Sequence, residues 1–124
     1  MYVLNVEDDA WKHRDICKVL ESCGVKQIDR AGNLEEGLGM LGRSVSQEKP
    51  YDLIVTDMYY PLSPGGSEAR AGMLLIEKVK EMNCAIPIVV CSSVELKIPG
   101  ILGAVHYSQR TDWENDLRKL VRGI

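Results

Sequence analysis

The sequence predicts an α/β fold in which helices cover both faces of a five-stranded parallel sheet. Two observations support this fold class. Strand-like and helix-like segments alternate five times along the 124 residues, and this alternation favours a doubly wound sheet over a helical bundle or a β-sandwich. The central strand segments are also continuously apolar, as strands are when both faces of a parallel sheet are covered.

The predicted strands are short runs bounded by polar or turn-forming residues. In the second of them, Gln27 and Asp29 alternate with Ile28. A half-polar strand of this kind fits the edge of a sheet better than its centre. The five predicted strands are 2–6, 25–31, 52–57, 87–91 and 104–108.

The predicted helices follow from apolar spacing and capping residues. Asn33 with Glu36 forms a capping-box signature, and Asp112 can cap the last helix. Pro99 interrupts the fourth helical segment, which is therefore predicted to be one or two turns or irregular. The helical segments are 10–23, the stretch after Asn33, 73–82, 95–102 and the stretch after Asp112. The buried face of the first helix is predicted to carry Trp11, Ile16, Val19 and Leu20.

Composition fits one globular domain over residues 1–124, with 45% hydrophobic and 27% charged residues. The net charge of -3 gives no reason to propose a nucleic acid or a membrane surface as a partner. Neither a membrane span nor a secretory signal is recognisable. The four cysteines form no Cys-x-x-Cys pair, so we expect free thiols and a cytoplasmic location.

Acidic residues follow two of the predicted strands. Glu7, Asp8 and Asp9 follow the first strand, and Asp57 ends the third. Ligands of open parallel sheets bind beyond the carboxyl ends of the strands, where neighbouring strands would bring these carboxylates together. Such a cluster is repulsive unless it is neutralised. Hard oxygen ligands at an open site suit Mg²⁺ together with a phosphate group.

The same edge of the sheet is predicted to gather hydroxyls at Ser92 and Ser93 and a cation at Arg110. A metal, a hydroxyl and a cation around one carboxylate can stabilise a phosphoryl group in transfer. The alternative is that the acids are solvated caps of the following helices, which applies most directly to Asp9.

These segments together resemble the receiver domain of two-component response regulators, over essentially the whole chain. Each segment alone is a weak signal, whereas their order and their positions at strand ends are specific. The resemblance implies a flavodoxin-like fold of the kind found in chemotaxis regulators. It is carried by 6–9, 51–57 with Pro61, 87–92 and 103–107.

By resemblance, Asp57 would accept a phosphoryl group from a histidine kinase, a phosphotransfer protein or a small phosphodonor. Asp8 and Asp57 would bind Mg²⁺ directly together with the backbone carbonyl of Tyr59, and Glu7 would act through water. The chain would then be a signalling phosphoacceptor and not an enzyme, apart from intrinsic autophosphatase activity.

Two further residues match the conformational switch of the resembled family. Ser92 takes the position of the hydroxyl that turns towards the phosphoryl group, and Tyr107 takes that of the aromatic that moves inward with it. Output would pass through a protein–protein contact with a downstream target or a second copy of the chain, with no direct contact to nucleic acid. Because the chain ends at its last helix, no output domain is expected.

Three features depart from the family pattern. Arg110 stands where a lysine is usual, and the two cations are not interchangeable. The loop 62–72 is longer than usual, and the stretch between Ser93 and Gly103 is shorter. The arginine and the shortened stretch favour, as an alternative, a phosphorylation-independent pseudo-receiver that only binds partners. A phosphatase with Asp57 as its nucleophile is disfavoured, because Tyr59 stands where a second aspartate would be needed.

Overall fold

The computed structural model describes residues 1–124 and contains seven strands and four helices. The strands are β1 (Tyr2–Val6), β2 (Gln27–Ala31), β3 (Leu53–Thr56), β4 (Tyr60–Pro61), β5 (Glu68–Ala69), β6 (Ile88–Ser92) and β7 (Gly103–His106). The helices are α1 (Ala10–Ser22), α2 (Leu34–Ser46), α3 (Ala71–Glu81) and α4 (Trp113–Arg122).

Five of the strands form one parallel sheet in the order β2-β1-β3-β6-β7. This confirms the predicted fold class. Every residue of β3 and β6 is buried, whereas β2 is largely half-buried or exposed and lies at an edge. The apolar centre and the half-polar edge of the sheet therefore follow the pattern of the sequence.

The core lies in two layers because successive strand residues point to opposite faces of the sheet. Leu4 and Ile54 belong to the cluster that α2 and α3 cover, and Val3 and Val55 belong to the cluster that α1 and α4 cover. None of the four helices has the length and apolar character needed to cross a membrane.

Two of the predicted helix caps are made by side chains. The Asp9 carboxylate accepts hydrogen bonds from the backbone N–H groups of Trp11 and Lys12. The Asn33 side chain accepts from the Glu36 N–H, which confirms the predicted N-cap, and its amide group donates to the Glu36 carboxylate in place of the backbone N–H of a capping box. Asp112 occupies the N-cap position of α4 but makes no side-chain capping bond.

The predicted buried face of α1 was wrong at one position. Trp11 is 74% exposed, whereas Lys12 is only 6% exposed. The physical reason is helical geometry, because Lys12 lies four residues before Ile16 and shares its face, while Trp11 lies five before it. The prediction placed Trp11 on the buried face because its side chain is large and apolar, although Lys12 has the correct spacing.

Residues 93–102 form no helix, so four helices cover the sheet where five were predicted. This is the irregular outcome that Pro99 made plausible. The segment still covers the core, since Leu96, Ile98 and Ile101 are partly buried against it.

The long loop after Asp57 is ordered by a small antiparallel pair, β4 with β5. Tyr60 in β4 is fully buried, and the Leu62 carbonyl accepts a hydrogen bond from the Glu35 N–H at 3.0 Å. The segment predicted as a long loop therefore packs against the start of α2.

Candidate functional site

Parallel pairing of β1 with β3 brings the acidic strand ends together. Val6 is paired with Thr56, and the Asp57 N–H donates to the Val6 carbonyl at 3.1 Å. Carboxylate oxygens of Glu7, Asp8 and Asp57 all lie within 4.8 Å of one another. Glu7 is buried, Asp57 is partly buried and Asp8 is exposed, so the cluster opens to solvent on the Asp8 side.

A cation that the sequence interpretation missed lies inside this cluster. The Lys12 ammonium is 2.9 Å from Glu7 Oε1 and 3.3 Å from Asp57 Oδ2, and it donates a 2.8 Å hydrogen bond to the Cys91 carbonyl. A lysine on the apolar face of α1, four residues before Ile16, was the sequence signal that pointed to it. Lysines are rarely buried unless they are paired.

The second carboxylate oxygens of Glu7 and Asp57 are held by backbone groups. The Met58 N–H donates to Asp57 Oδ1 at 2.7 Å, and the Asp9 N–H donates to Glu7 Oε2 at 3.1 Å. Glu7 Oε1 is buried and lies close to Lys12, yet it receives no aligned hydrogen bond. We attribute the attraction between Glu7 and Lys12 to their opposite charges, because a Coulomb interaction does not require the alignment of a hydrogen bond.

Charge and burial oppose each other at this site. Burial raises the pKa of the Glu7 carboxyl to about 7, although the Lys12 ammonium lowers it. Burial lowers the pKa of Lys12, but the charges of Glu7 and Asp57 outweigh burial and raise it above the ordinary lysine value. Three carboxylates facing one ammonium leave an excess of negative charge that a further cation would neutralise.

The donor set fits Mg²⁺. All three side chains offer hard oxygen atoms, which this ion prefers. The exposed Asp8 leaves room for the water ligands that Mg²⁺ usually retains. Tyr59 is partly buried two residues beyond Asp57, and its carbonyl as a ligand stays a prediction.

Two other elements fix the backbone around the carboxylates. Arg30 donates from Nε to the Glu7 carbonyl and from Nη2 to the Asp8 carbonyl, each at 3.1 Å, so β2 holds the acidic turn in place. At the start of α3, a Cβ added to Gly72 would lie 2.5 Å from the Asp57 carbonyl oxygen. Only glycine permits this close approach of α3 to the backbone of Asp57 and Met58.

Ser92 and Tyr107 lie on the side of the site formed by β6 and β7. Ser92 is buried, and its hydroxyl accepts a hydrogen bond from the Val94 N–H at 3.2 Å. The Tyr107 N–H donates to the Ser92 carbonyl at 2.8 Å, and its ring centroid lies 5.3 Å from the Lys12 ammonium. The Tyr107 hydroxyl donates to Asp15 Oδ2 at 2.7 Å.

Arg110, the predicted site cation, is exposed to solvent. Its backbone N–H donates to the Ser108 hydroxyl at 3.1 Å, whereas its guanidinium makes no hydrogen bond or ion pair. Ser93 is also exposed. The structure therefore brings Glu7, Asp8 and Asp57 together, and the ammonium that contacts Glu7 and Asp57 comes from α1. A role for Arg110 at the site stays a prediction.

Comparison with known proteins assigns the fold. No family model matches the sequence. The chain is 29% identical over 98 residues to Two-component system protein A of Emericella nidulans, a match that covers 77% of this chain and 13% of that much longer protein. A response regulator receiver domain from Clostridium thermocellum superposes with a TM-score of 0.70 at 18% identity, covering 98% of this chain and 91% of the other.

A chemotaxis response regulator of Vibrio cholerae superposes with a TM-score of 0.68 at 19% identity, covering 99% and 98% of the two chains. This chain has the receiver-domain fold. The likeness extends over nearly its full length, including the region where residues 93–102 form no helix. Within the receiver fold, the acidic cluster lies at the carboxyl edge of the sheet, where ligands of such sheets bind.

Proposed function

We propose that the chain is a phosphoryl-accepting receiver domain in which Asp57 carries the phosphoryl group in a Mg²⁺-dependent reaction. The observation that supports this best is the convergence of Glu7, Asp8 and Asp57, whose oxygens lie within 4.8 Å of one another at the carboxyl edge of the sheet. A domain that only bound partners would gain nothing from three carboxylates at such short range, because their mutual repulsion costs stability.

In the proposed reaction, Asp57 Oδ2 forms a bond to phosphorus while the bond from phosphorus to the donor breaks. Oδ1 is held by the Met58 N–H, which orients the carboxylate. Asp8 and Asp57 would hold Mg²⁺ directly with the Tyr59 carbonyl, and Glu7 would act through water. When bound, the ion would supply positive charge for the phosphoryl oxygens in transfer.

The donor would be a histidine kinase or a phosphotransfer protein in the cytoplasm, with small phosphodonors as substitutes. Ser92 and Tyr107 would report the phosphoryl group by repacking between two states, and the output would be a contact with another protein. The backbone hydrogen bond between Tyr107 and Ser92 supports this role, since it holds the two residues next to each other.

A pseudo-receiver that binds partners without phosphorylation is the second candidate. It is favoured by the Lys12 ammonium, which already pairs with Glu7 and Asp57. In this reading, the lysine is an internal counter-ion that makes both the metal and the phosphoryl group unnecessary.

Intact-mass spectrometry distinguishes the two candidates. The protein is incubated with acetyl phosphate and either Mg²⁺ or EDTA, with Asp57→Asn as the matched variant. Asparagine keeps an oxygen that can accept from the Met58 N–H, so we expect the variant to fold. A Mg²⁺-dependent phosphate adduct on the wild type alone supports the phosphoacceptor. No adduct, together with no binding of beryllofluoride, would leave the pseudo-receiver as the better account.

A further inference from the structure

We propose that Lys12, on α1, is the cation that neutralises the phosphoryl group on Asp57. This inference rests on the proposed function and identifies the residue that supplies positive charge to the phosphoryl group. Receiver resemblance points instead to Arg110, after the last strand, and none of the segments that carry the resemblance includes Lys12. The assignment therefore comes from the contacts of Lys12.

The Lys12 ammonium lies where three neighbouring strands end. Its partners are Glu7 beyond β1 at 2.9 Å, Asp57 beyond β3 at 3.3 Å and the Cys91 carbonyl in β6 at 2.8 Å. An ammonium has three hydrogens, and three oxygen atoms surround this one. The side chain is thus fixed at the carboxyl edge of the sheet, directly beside the proposed acceptor.

Packing alone does not account for a lysine at this position. The neighbouring positions on the same face of α1, Ile16, Val19 and Leu20, are apolar and fully packed. Burying a charge destabilises a small domain strongly unless partner charges compensate for the lost hydration. Both carboxylates that compensate Lys12 belong to the candidate site. The charge of Lys12 therefore serves the site and not the core.

The chemistry of transfer explains what the ammonium does. With acetyl phosphate, Asp57 Oδ2 bonds to phosphorus, the bond from phosphorus to the acetyl oxygen breaks, and acetate leaves with the electron pair. Asp57 loses its negative charge when it becomes the acyl phosphate. The ammonium paired with Asp57 is then left beside the newly bound phosphoryl oxygens, which carry the charge. No proton has to be transferred.

Arg110 does not meet the same requirement. It is exposed, and its guanidinium has no polar partner in the structure. Its loop is held by Thr111, whose hydroxyl donates to the His106 carbonyl at 2.6 Å. A solvated cation on such a loop gains little from a carboxylate it does not contact.

Lys12 also contacts the aromatic residue of the proposed switch. Its ammonium lies 5.3 Å from the centroid of the Tyr107 ring, a distance typical of a cation–π contact. A shift of the ammonium towards a phosphoryl group would weaken or re-aim this contact. The same side chain would therefore neutralise the phosphoryl group and transmit its presence to Tyr107.

Three variants test the assignment through the rate of Mg²⁺-dependent labelling by acetyl phosphate. Lys12→Met removes the charge at similar volume, Arg110→Ala removes the loop cation, and Lys18→Met removes an exposed lysine from the same helix. We expect Lys12→Met to slow labelling on the order of 100-fold, as loss of a preorganised charge does elsewhere. Arg110→Ala and Lys18→Met should label at the wild-type rate.

A second measurement on the wild-type protein avoids dependence on the fold of Lys12→Met. Lysine ¹³Cε resonances are recorded by NMR before and after addition of Mg²⁺ and beryllofluoride, with Lys12 assigned from the spectrum of Lys12→Arg. The Lys12 resonance should shift and that of Lys18 should stay in place. An unshifted Lys12 resonance, or slow labelling in Arg110→Ala alone, would overturn the assignment.

Failure of the proposed function gives a different pattern. If the wild type acquires no adduct, or if Asp57→Asn labels as the wild type does, the phosphoacceptor itself is rejected and the Lys12 assignment with it. If labelling requires Asp57 and is equally fast with and without Lys12, only the assignment is rejected.

Discussion

The two halves of the sheet differ in how closely they hold the candidate site. At the ends of β1 and β3, Glu7, Asp57 and Lys12 are buried or partly buried, and Lys12 forms ion pairs with both carboxylates. Beyond β6 and β7, the chain runs through 93–102 without a helix, and Arg110 points into solvent. The half that would carry the chemistry is tightly held, whereas the other half has one helix fewer than predicted.

This difference shows that the position of a charge in a site is more strictly constrained than the segment of sequence that supplies it. The carboxylates follow the strands directly, so their positions are set by the sheet. A side chain as long as lysine can reach the same point from a helix or from a loop. The cation that contacts these carboxylates is Lys12 on α1, whereas the Arg110 guanidinium after β7 makes no polar contact.

The largest effect on the free energy of unfolding is expected at Gly72, which lies against Asp57. In Gly72→Ala, the new Cβ would meet the Asp57 carbonyl oxygen at 2.5 Å and the Met58 Cα at 2.8 Å. Both are backbone atoms that cannot rotate away, so we expect a loss of about 2 to 3 kcal/mol in the free energy of unfolding. Urea denaturation measures it.

Gly42→Ala is the matched control, because that exposed position in α2 has no atom within 4 Å of a new Cβ. Alanine should stabilise the helix there by about 1 kcal/mol. Equal stability of the two variants would mean that the contact between α3 and Asp57 is not tight.

An intermediate effect is expected where the two halves meet, at the hydrogen bond from Tyr107 to Asp15. Tyr107→Phe removes this bond and should lower the free energy of unfolding by about 1 kcal/mol. In a double-mutant cycle with Asp15→Ala, the two losses should not add, because the same bond is removed in both. Additive losses would show that the bond contributes nothing.

The smallest effect is expected at Arg110. Arg110→Lys restores the residue usual at this position in receiver domains, but the side chain has no partner to exchange. Labelling by acetyl phosphate should stay at the wild-type rate. A clear rise in the labelling rate would show that the loop after β7 supplies a cation to the site. The two halves of the sheet would then not differ in this respect.

The fold could be predicted because its signals are local. Continuous apolar runs predicted the buried strands β3 and β6, and the half-polar run around Ile28 predicted an edge strand. Acidic residues at the ends of β1 and β3 predicted the cluster, since parallel strands in register place their carboxyl ends side by side.

Two features required the tertiary structure. Lys12 has the helical spacing of a core residue and the charge of a surface residue. Only its partners across the sheet explain why it is buried. Arg110 matched a motif position in sequence, yet the turn held by Thr111 leaves it in solvent. In both cases a long flexible side chain could point in several directions, and pattern alone could not choose between them.

The measurement that tests the central claim most directly is the location of the phosphoryl group. Protein incubated with acetyl phosphate and Mg²⁺ is reduced with borohydride, which converts an aspartyl phosphate to homoserine, and its peptides are sequenced by mass spectrometry. The account predicts homoserine at position 57 alone, and none when Mg²⁺ is withheld. Homoserine at Asp8 or another carboxylate, or none at all with Mg²⁺ present, would contradict it.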